Sequence, residues 1–157
     1  MIKAAVIGNP IKHSRSPLIH KHWLNKTGID GSYEAMHAES ERDFIGLVEK
    51  LKEGGYSGFN ITIPFKKIAS EIVDKTINND LSFYNKETPA INTIKIEKDK
   101  LVGYNTDYFG FSSLLQQKIE SLEKIKNIII LGAGGAAKSI AYGLNEGFRN
   151  KEKGEIR

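Results

Sequence analysis

The sequence contains no cysteine, so disulfide cross-links, thiolate nucleophiles and cysteine-ligated metal centres are excluded. Histidine is nearly as scarce, at 4 residues. Of these, His20 and His22 point to different faces of the helix expected there, whereas a helical zinc pair sits one turn apart, so no metal site is expected. Long hydrophobic runs are also missing. The amino-terminal run ends at Gly8-Asn9-Pro10, too short for a signal peptide or a membrane span and followed by no small-residue cleavage pattern, which leads us to expect a cytoplasmic chain with no membrane partner. Nor is there a block of one charge. The net charge is +4, but lysines and acids are interspersed and no aromatic–basic pattern appears, so a nucleic-acid surface is not expected and the excess fits mild steering of a small anionic ligand.

What is present is a chain of 157 residues, 39% hydrophobic and with 15 glycines, enough for one good core or for one domain and part of another. Apolar runs and helical patterns alternate along it. Ile2 to Gly8 reads as a buried parallel strand. Ser16 as N-cap and Pro17 at the first helical position open a helix that stops at Gly28, with Leu18, Ile19, Trp23 and Leu24 as its apolar face. Ser32 to Ala38 reads as a second strand, and Ser40 with Asp43 approximates a capping box for a helix through Phe44, Ile45, Leu47, Val48 and Leu51 to Gly54. A third strand carries Phe59, Ile61 and Ile63 and meets Pro64, and a helix over Lys66 to Lys75 turns Ile68, Ile72 and Val73 inward. Strand–helix alternation of this kind predicts right-handed crossovers and an open, mostly parallel α/β sheet. Polar, turn-rich residues follow at 78–85. Next come a hairpin of Ile91 to Ile96 with Leu101 to Tyr104, a helix capped by Thr106 or Asp107, and a lysine-rich link that marks a domain boundary.

Candidate functional residues cluster at the ends of these elements. Asn60 and Thr62 lie on the polar face of the third strand, and Lys66 follows just past its carboxyl end, where open α/β sheets hold ligands. Taken alone, this reads sooner as a surface lysine beside solvated polar residues, because most lysines are exposed. Ser14 and Ser16 stand at a helix amino terminus, which favours an anion, and capping accounts for only the second of them. Asn92 opens the hairpin and Asp107 follows it, as a functional carboxylate or as an ordinary cap. Finally, Asn127 to Leu131 reads as a strand leading into Gly132-Ala133-Gly134-Gly135-Ala136-Ala137, which satisfies the G-x-G-x-x-G/A pattern between a strand and a helix and points to dinucleotide binding.

Together these motifs resemble the shikimate dehydrogenase family. They are GNPIKHSRSPLIH from Gly8, FNITIPFK from Phe59, AINT from Ala90, NTD from Asn105 and GAGGAA from Gly132, in the family's order. The resemblance implies a substrate-binding domain over 1–105, a connecting helix and linker over 106–124, and an incomplete Rossmann-type NADP-binding domain over 125–157, cut after its first βα unit. It implies reduction of 3-dehydroshikimate to shikimate with NADPH, in the shikimate pathway to aromatic amino acids. Ser14 and Ser16 would bind the substrate carboxylate, and Asn60, Asn92 and Asp107 the ring hydroxyls with Thr62 in support. Lys66 and Asp107 would form the catalytic pair, and Gly132, Ala133, Gly134, Gly135 and Ala136 the cofactor turn. A quinate/shikimate dehydrogenase and a non-catalytic shikimate-binding fragment are the alternatives. The family usually has glycine where this chain has Pro89, which fixes φ next to the AINT motif.

Overall fold

The computed structural model describes residues 1–77, 90–118 and 127–152. Pro89, the polar stretch at 78–85 and the link at 119–126 lie outside the described residues.

Strand β1 (Ile2–Gly8) runs between β2 (Gly31–His37) and β3 (Gly58–Ile61), parallel to both. Its central position explains its sequence: Ala5, Val6 and Ile7 are all buried, so no polar face is left to alternate. A short strand β4 (Lys75–Thr76) is followed by the hairpin of β5 (Thr93–Glu97) and β6 (Lys100–Tyr104). The hairpin turns on Lys98 and Asp99, at φ 48° and 69°, the left-handed pair that matches the twist of a tight two-residue connection. Strand order across the sheet is β2-β1-β3-β5-β6-β4. Pairing is parallel except for β3 with β5 and β5 with β6, the mostly parallel α/β sheet expected.

One face of this sheet is the core. Helix α2 (Glu41–Glu53) opens with the expected capping box: Ser40 Oγ accepts from the Asp43 backbone at 3.2 Å and donates to Asp43 Oδ2 at 2.9 Å. Its Phe44, Val48 and Leu51 fall on one stripe and are fully buried. They pack on Ala5, Ile7, Phe59, Ile61 and Ile94 of the sheet, with the Phe44 ring stacked on Phe65 at 5.0 Å. Phe65 sits just before α3 (Lys66–Ile72), so the packing that anchors this helix also fixes where Lys66 begins it.

The remaining helices are α1 (Ser16–Thr27), α4 (Asp107–Lys118) and α5 (Gly135–Glu152). Among the described residues, no helix is long and apolar enough to cross a membrane.

Several expectations are corrected. The apolar face of α1 is not buried: Leu18 is 70% and Trp23 54% exposed, because the helix lies against the edge strand β2 and meets it through Leu24 over Gly31 and His20 over Tyr33. Strand β3 stops at Ile61, two residues early, and α3 stops at Ile72 because Lys75 and Thr76 pair with β6 instead. Asn127 to Leu131 forms no strand. Ile129 is 85% and Leu131 94% exposed, and no described strand pairs with the run; β-branched residues make a strand only where a neighbour completes the ladder.

Candidate active site

The candidate residues lie on β3 and on the loops and helix starts beyond the strand ends. Ser14 folds back through a turn in which its N–H donates to the Ile11 carbonyl at 2.9 Å, and Ser14 Oγ then accepts from the Ser16 N–H at 3.3 Å. Arg15, not Ser16, occupies the N-cap position of α1. The expectation that capping explains Ser16 and leaves Ser14 over is therefore reversed: Ser14 satisfies a helix-end donor, and the Ser16 hydroxyl is directed elsewhere.

On β3, Asn60 Oδ1 accepts from the Tyr33 hydroxyl at 2.6 Å, and Nδ2 donates to Thr93 Oγ1 at 2.9 Å and to the Asn92 carbonyl at 3.4 Å. Thr62 presses its methyl against the backbone at Gly8, where any Cβ would collide with it. Its carbonyl accepts from the Phe65 N–H at 3.0 Å, closing the turn that delivers Lys66 to the head of α3.

Lys66 and Asp107, far apart in sequence, meet. Nζ donates to Asp107 Oδ2 at 2.6 Å, and the two side chains are only 18% and 21% exposed, a short charge-assisted bond partly shielded from water. The other carboxylate oxygen, Oδ1, accepts from Asn92 Nδ2 at 2.7 Å. Asn92 Oδ1 in turn accepts from the Thr106 N–H at 3.0 Å and from the Thr93 hydroxyl at 3.1 Å. At the start of α4, Asn105 Oδ1 accepts from the Asp107 N–H at 3.0 Å. That leaves the Asp107 carboxylate turned toward Lys66.

The glycine-rich turn lies beside this pair. Gly132 has φ 107°, which only glycine adopts without strain, and at Gly134 nothing stands within 4 Å of where a Cβ would be. A Cβ at Gly135 would lie 3.3 Å from Ala90 Cβ and 3.7 Å from Lys66 Cδ. Ala133 and Ala136 are exposed. An uncovered turn leading into the amino terminus of α5 fits a pyrophosphate, with Gly134 giving close backbone access and the helix end offering free N–H groups. Helix α5 is fastened in place by Asn105, whose Nδ2 donates to the Ala90 carbonyl and to Ser139 Oγ, both at 2.7 Å.

Four residues in this network carried no expected place in the site: Tyr33, Thr93, Asn105 and Thr106, the last expected only as a helix cap. Three stand inside the AINT and NTD motifs, next to residues that did. Tyr33 gave no signal, since it faces Asn60 only because β1 places β2 and β3 on either side of it.

The fold and the site together define an α/β domain whose polar residues gather at the carboxyl ends of a mostly parallel sheet, with a lysine–carboxylate pair and a glycine-rich turn close by. A family model described as "Shikimate dehydrogenase substrate binding domain" matches residues 6–94, and the chain belongs to the shikimate dehydrogenase family. It is 40% identical over 142 residues to the shikimate dehydrogenase (NADP(+)) of Brucella abortus, covering 90% of this chain and 47% of that protein. To the Caldicellulosiruptor saccharolyticus shikimate dehydrogenase (NADP(+)) it is 44% identical over 147 residues, covering 92% and 50%. Among solved structures, it superposes on the shikimate 5-dehydrogenase of Thermus thermophilus in complex with NADP(H) and shikimate with TM-score 0.80 and 32% identity, covering 93% of this chain and 52% of that one. The chain thus spans about half the length of the curated relatives it matches.

Proposed function

We propose that this chain carries the substrate site and the opening cofactor turn of a cytoplasmic, NADP-dependent shikimate dehydrogenase that reduces 3-dehydroshikimate to shikimate. The observation that carries the proposal is the Lys66–Asp107 pair, joined through Asn92 to Asn60 at the strand ends. Bound at the glycine-rich turn, NADPH would supply the hydride to the ketone carbon. Negative charge then grows on the ketone oxygen, and a donor that can give up a proton is needed there. Lys66 is that donor: its Nζ–H bond breaks as the new O–H bond forms, leaving a neutral amine. Asp107 holds the ammonium in position before transfer. The Ser14 and Ser16 hydroxyls at the head of α1 take the substrate carboxylate, where the helix dipole favours negative charge. Asn60, Asn92 and Asp107 take the ring hydroxyls, with Thr62 in support, and Gly132 to Ala136 hold the pyrophosphate. The ligands named for the Thermus thermophilus structure, NADP(H) and shikimate, fit this division of labour.

The test is Lys66→Ala in a chain continued to the length of the relatives. Turnover of shikimate with NADP is expected to fall by about 10²–10⁴-fold, the usual contribution of a positioned acid, with shikimate binding nearly unchanged. Unchanged turnover would remove Lys66 from the mechanism.

For the 157 residues on their own, the exposure of Ile129 and Leu131 favours a second reading, a shikimate-binding chain without turnover.

A further inference from the structure

Tyr33 belongs to none of the motifs that mark the site, yet it heads a continuous chain of side-chain hydrogen bonds that ends on the reacting pair. The Tyr33 hydroxyl donates to Asn60 Oδ1 at 2.6 Å, Asn60 Nδ2 donates to Thr93 Oγ1 at 2.9 Å, and the Thr93 hydroxyl donates to Asn92 Oδ1 at 3.1 Å. Asn92 Nδ2 then donates to Asp107 Oδ1 at 2.7 Å, and Asp107 Oδ2 accepts Lys66 at 2.6 Å. Every link runs in one direction, toward the carboxylate. An asparagine amide can turn over about its last torsion at little cost, so its partners decide which end faces where. Thr93 has one hydrogen, committed to Asn92, and so meets Asn60 as an acceptor. Asn60 must therefore present Nδ2 to Thr93 and Oδ1 to Tyr33. Its second Nδ2 hydrogen is directed to the Asn92 carbonyl at 3.4 Å, which leaves a lone pair on Oδ1 as the group Asn60 offers a ligand.

The phenol that completes this arrangement, by donating to Oδ1, is itself held. His20 stacks on the Tyr33 ring at 3.8 Å with an interplanar angle of 8°, and His20 Nδ1 lies 2.9 Å from the Ser16 carbonyl. Tyr33, Asn60, Thr93, Tyr104 and Thr106 share the wall of a cavity of about 470 Å³ on this face of the sheet.

We infer that Tyr33 is a positioning residue for the substrate site: with the sense of the Asn60 amide set by Thr93, the Tyr33 hydroxyl holds Oδ1 in place so that its second lone pair accepts a hydrogen bond from a ring hydroxyl of the ligand. The inference rests on the shikimate reading proposed above.

The test uses the intact 157-residue chain and shikimate, with affinities from amide-shift titrations of the parent, Tyr33→Phe, Asn60→Ala and the double variant. Tyr33→Phe is expected to weaken shikimate binding about tenfold, the worth of one well-oriented hydrogen bond, and to have less than about a twofold effect once Asn60 is alanine, because contributions made through a shared partner do not add. Without ligand, Tyr33→Phe should also shift the Asn60 side-chain NH₂ signals, identified by their loss in Asn60→Ala. Full retention of affinity in Tyr33→Phe, an undiminished loss in the Asn60→Ala background, or unmoved NH₂ signals would each overturn the inference while leaving the shikimate reading intact. No shikimate binding by the parent would overturn that reading, and this inference with it.

Discussion

The Lys66–Asp107 bond joins residues 41 positions apart, and each partner arrives by a separate local device. Phe65 in the core sets the first residue of α3, and Asn105 takes the Asp107 N–H so that the carboxylate is free to point inward. The polar character of these positions is legible in the sequence, because an asparagine, a lysine or an aspartate at a strand end has no core to join. Their companions are less so. Tyr33 and Asn60 are 27 positions apart and meet only through the order β2-β1-β3, which no local pattern encodes. Burial pushes the Tyr33 phenol from 10.0 up to about 12, with the hydrogen-bonded Ser16 side chain pulling the other way. Since the folded value lies above the unfolded one, this stabilisation is complete below pH 10 and is lost as the pH climbs toward 12. Tyr56, raised to about 12 chiefly by its bond to Glu34, adds to the same loss. Thermal melts between about pH 9 and about pH 11 should therefore show a falling midpoint that falls less steeply in Tyr33→Phe. Equal slopes in parent and variant would contradict the assignment.

At the scale of elements, capping and periodicity identify α2 from its first residue, because Ser40, Asp43, Phe44, Val48 and Leu51 all serve the same local geometry. Elements that depend on neighbours are read less well. The apolar residues of α1 follow helical spacing, yet the helix lies along an edge strand and leaves Leu18 and Trp23 in solvent. Ile128 to Leu131 has strand composition but no paired neighbour among the described strands. Helix α5 instead holds to the rest of the fold through Asn105, Ser139 and a close approach to α4, where a Cβ at Gly143 would run into the Tyr108 ring. Gly143→Ala should thus cost about 1–3 kcal/mol in overpacking, more than the gain of about 1 kcal/mol from helix propensity. Hydrogen exchange is the direct readout: amides of α5 should lose protection while those of α2 keep theirs. Retained protection in α5 would mean that this contact does not hold the helix.

For the molecule as a whole, the parallel half of the sheet was legible because strand–helix alternation admits few topologies, and the hairpin because a charged turn separates two alternating runs. The short β4 was missed, since Lys75 and Thr76 carry no strand pattern and pair with β6 only once the hairpin is in place. The division of the sheet into two faces is the property on which function depends. One face is closed by Phe44, Phe65 and their neighbours, and Asn60 and Thr93 of the other are linked by successive hydrogen bonds through Asn92 to Asp107 and Lys66 beyond the strand ends. The central claim is that this linked set, at the carboxyl ends of the strands, is a site for shikimate. Titrating the isotope-labelled chain with shikimate and mapping the amide shifts tests it most directly. The account predicts saturable shifts at Ser14, Ser16, Asn60, Thr62, Lys66, Asn92 and Asp107, with α2 and the core face silent. Saturable shifts confined to other surfaces, or none at all, would contradict it.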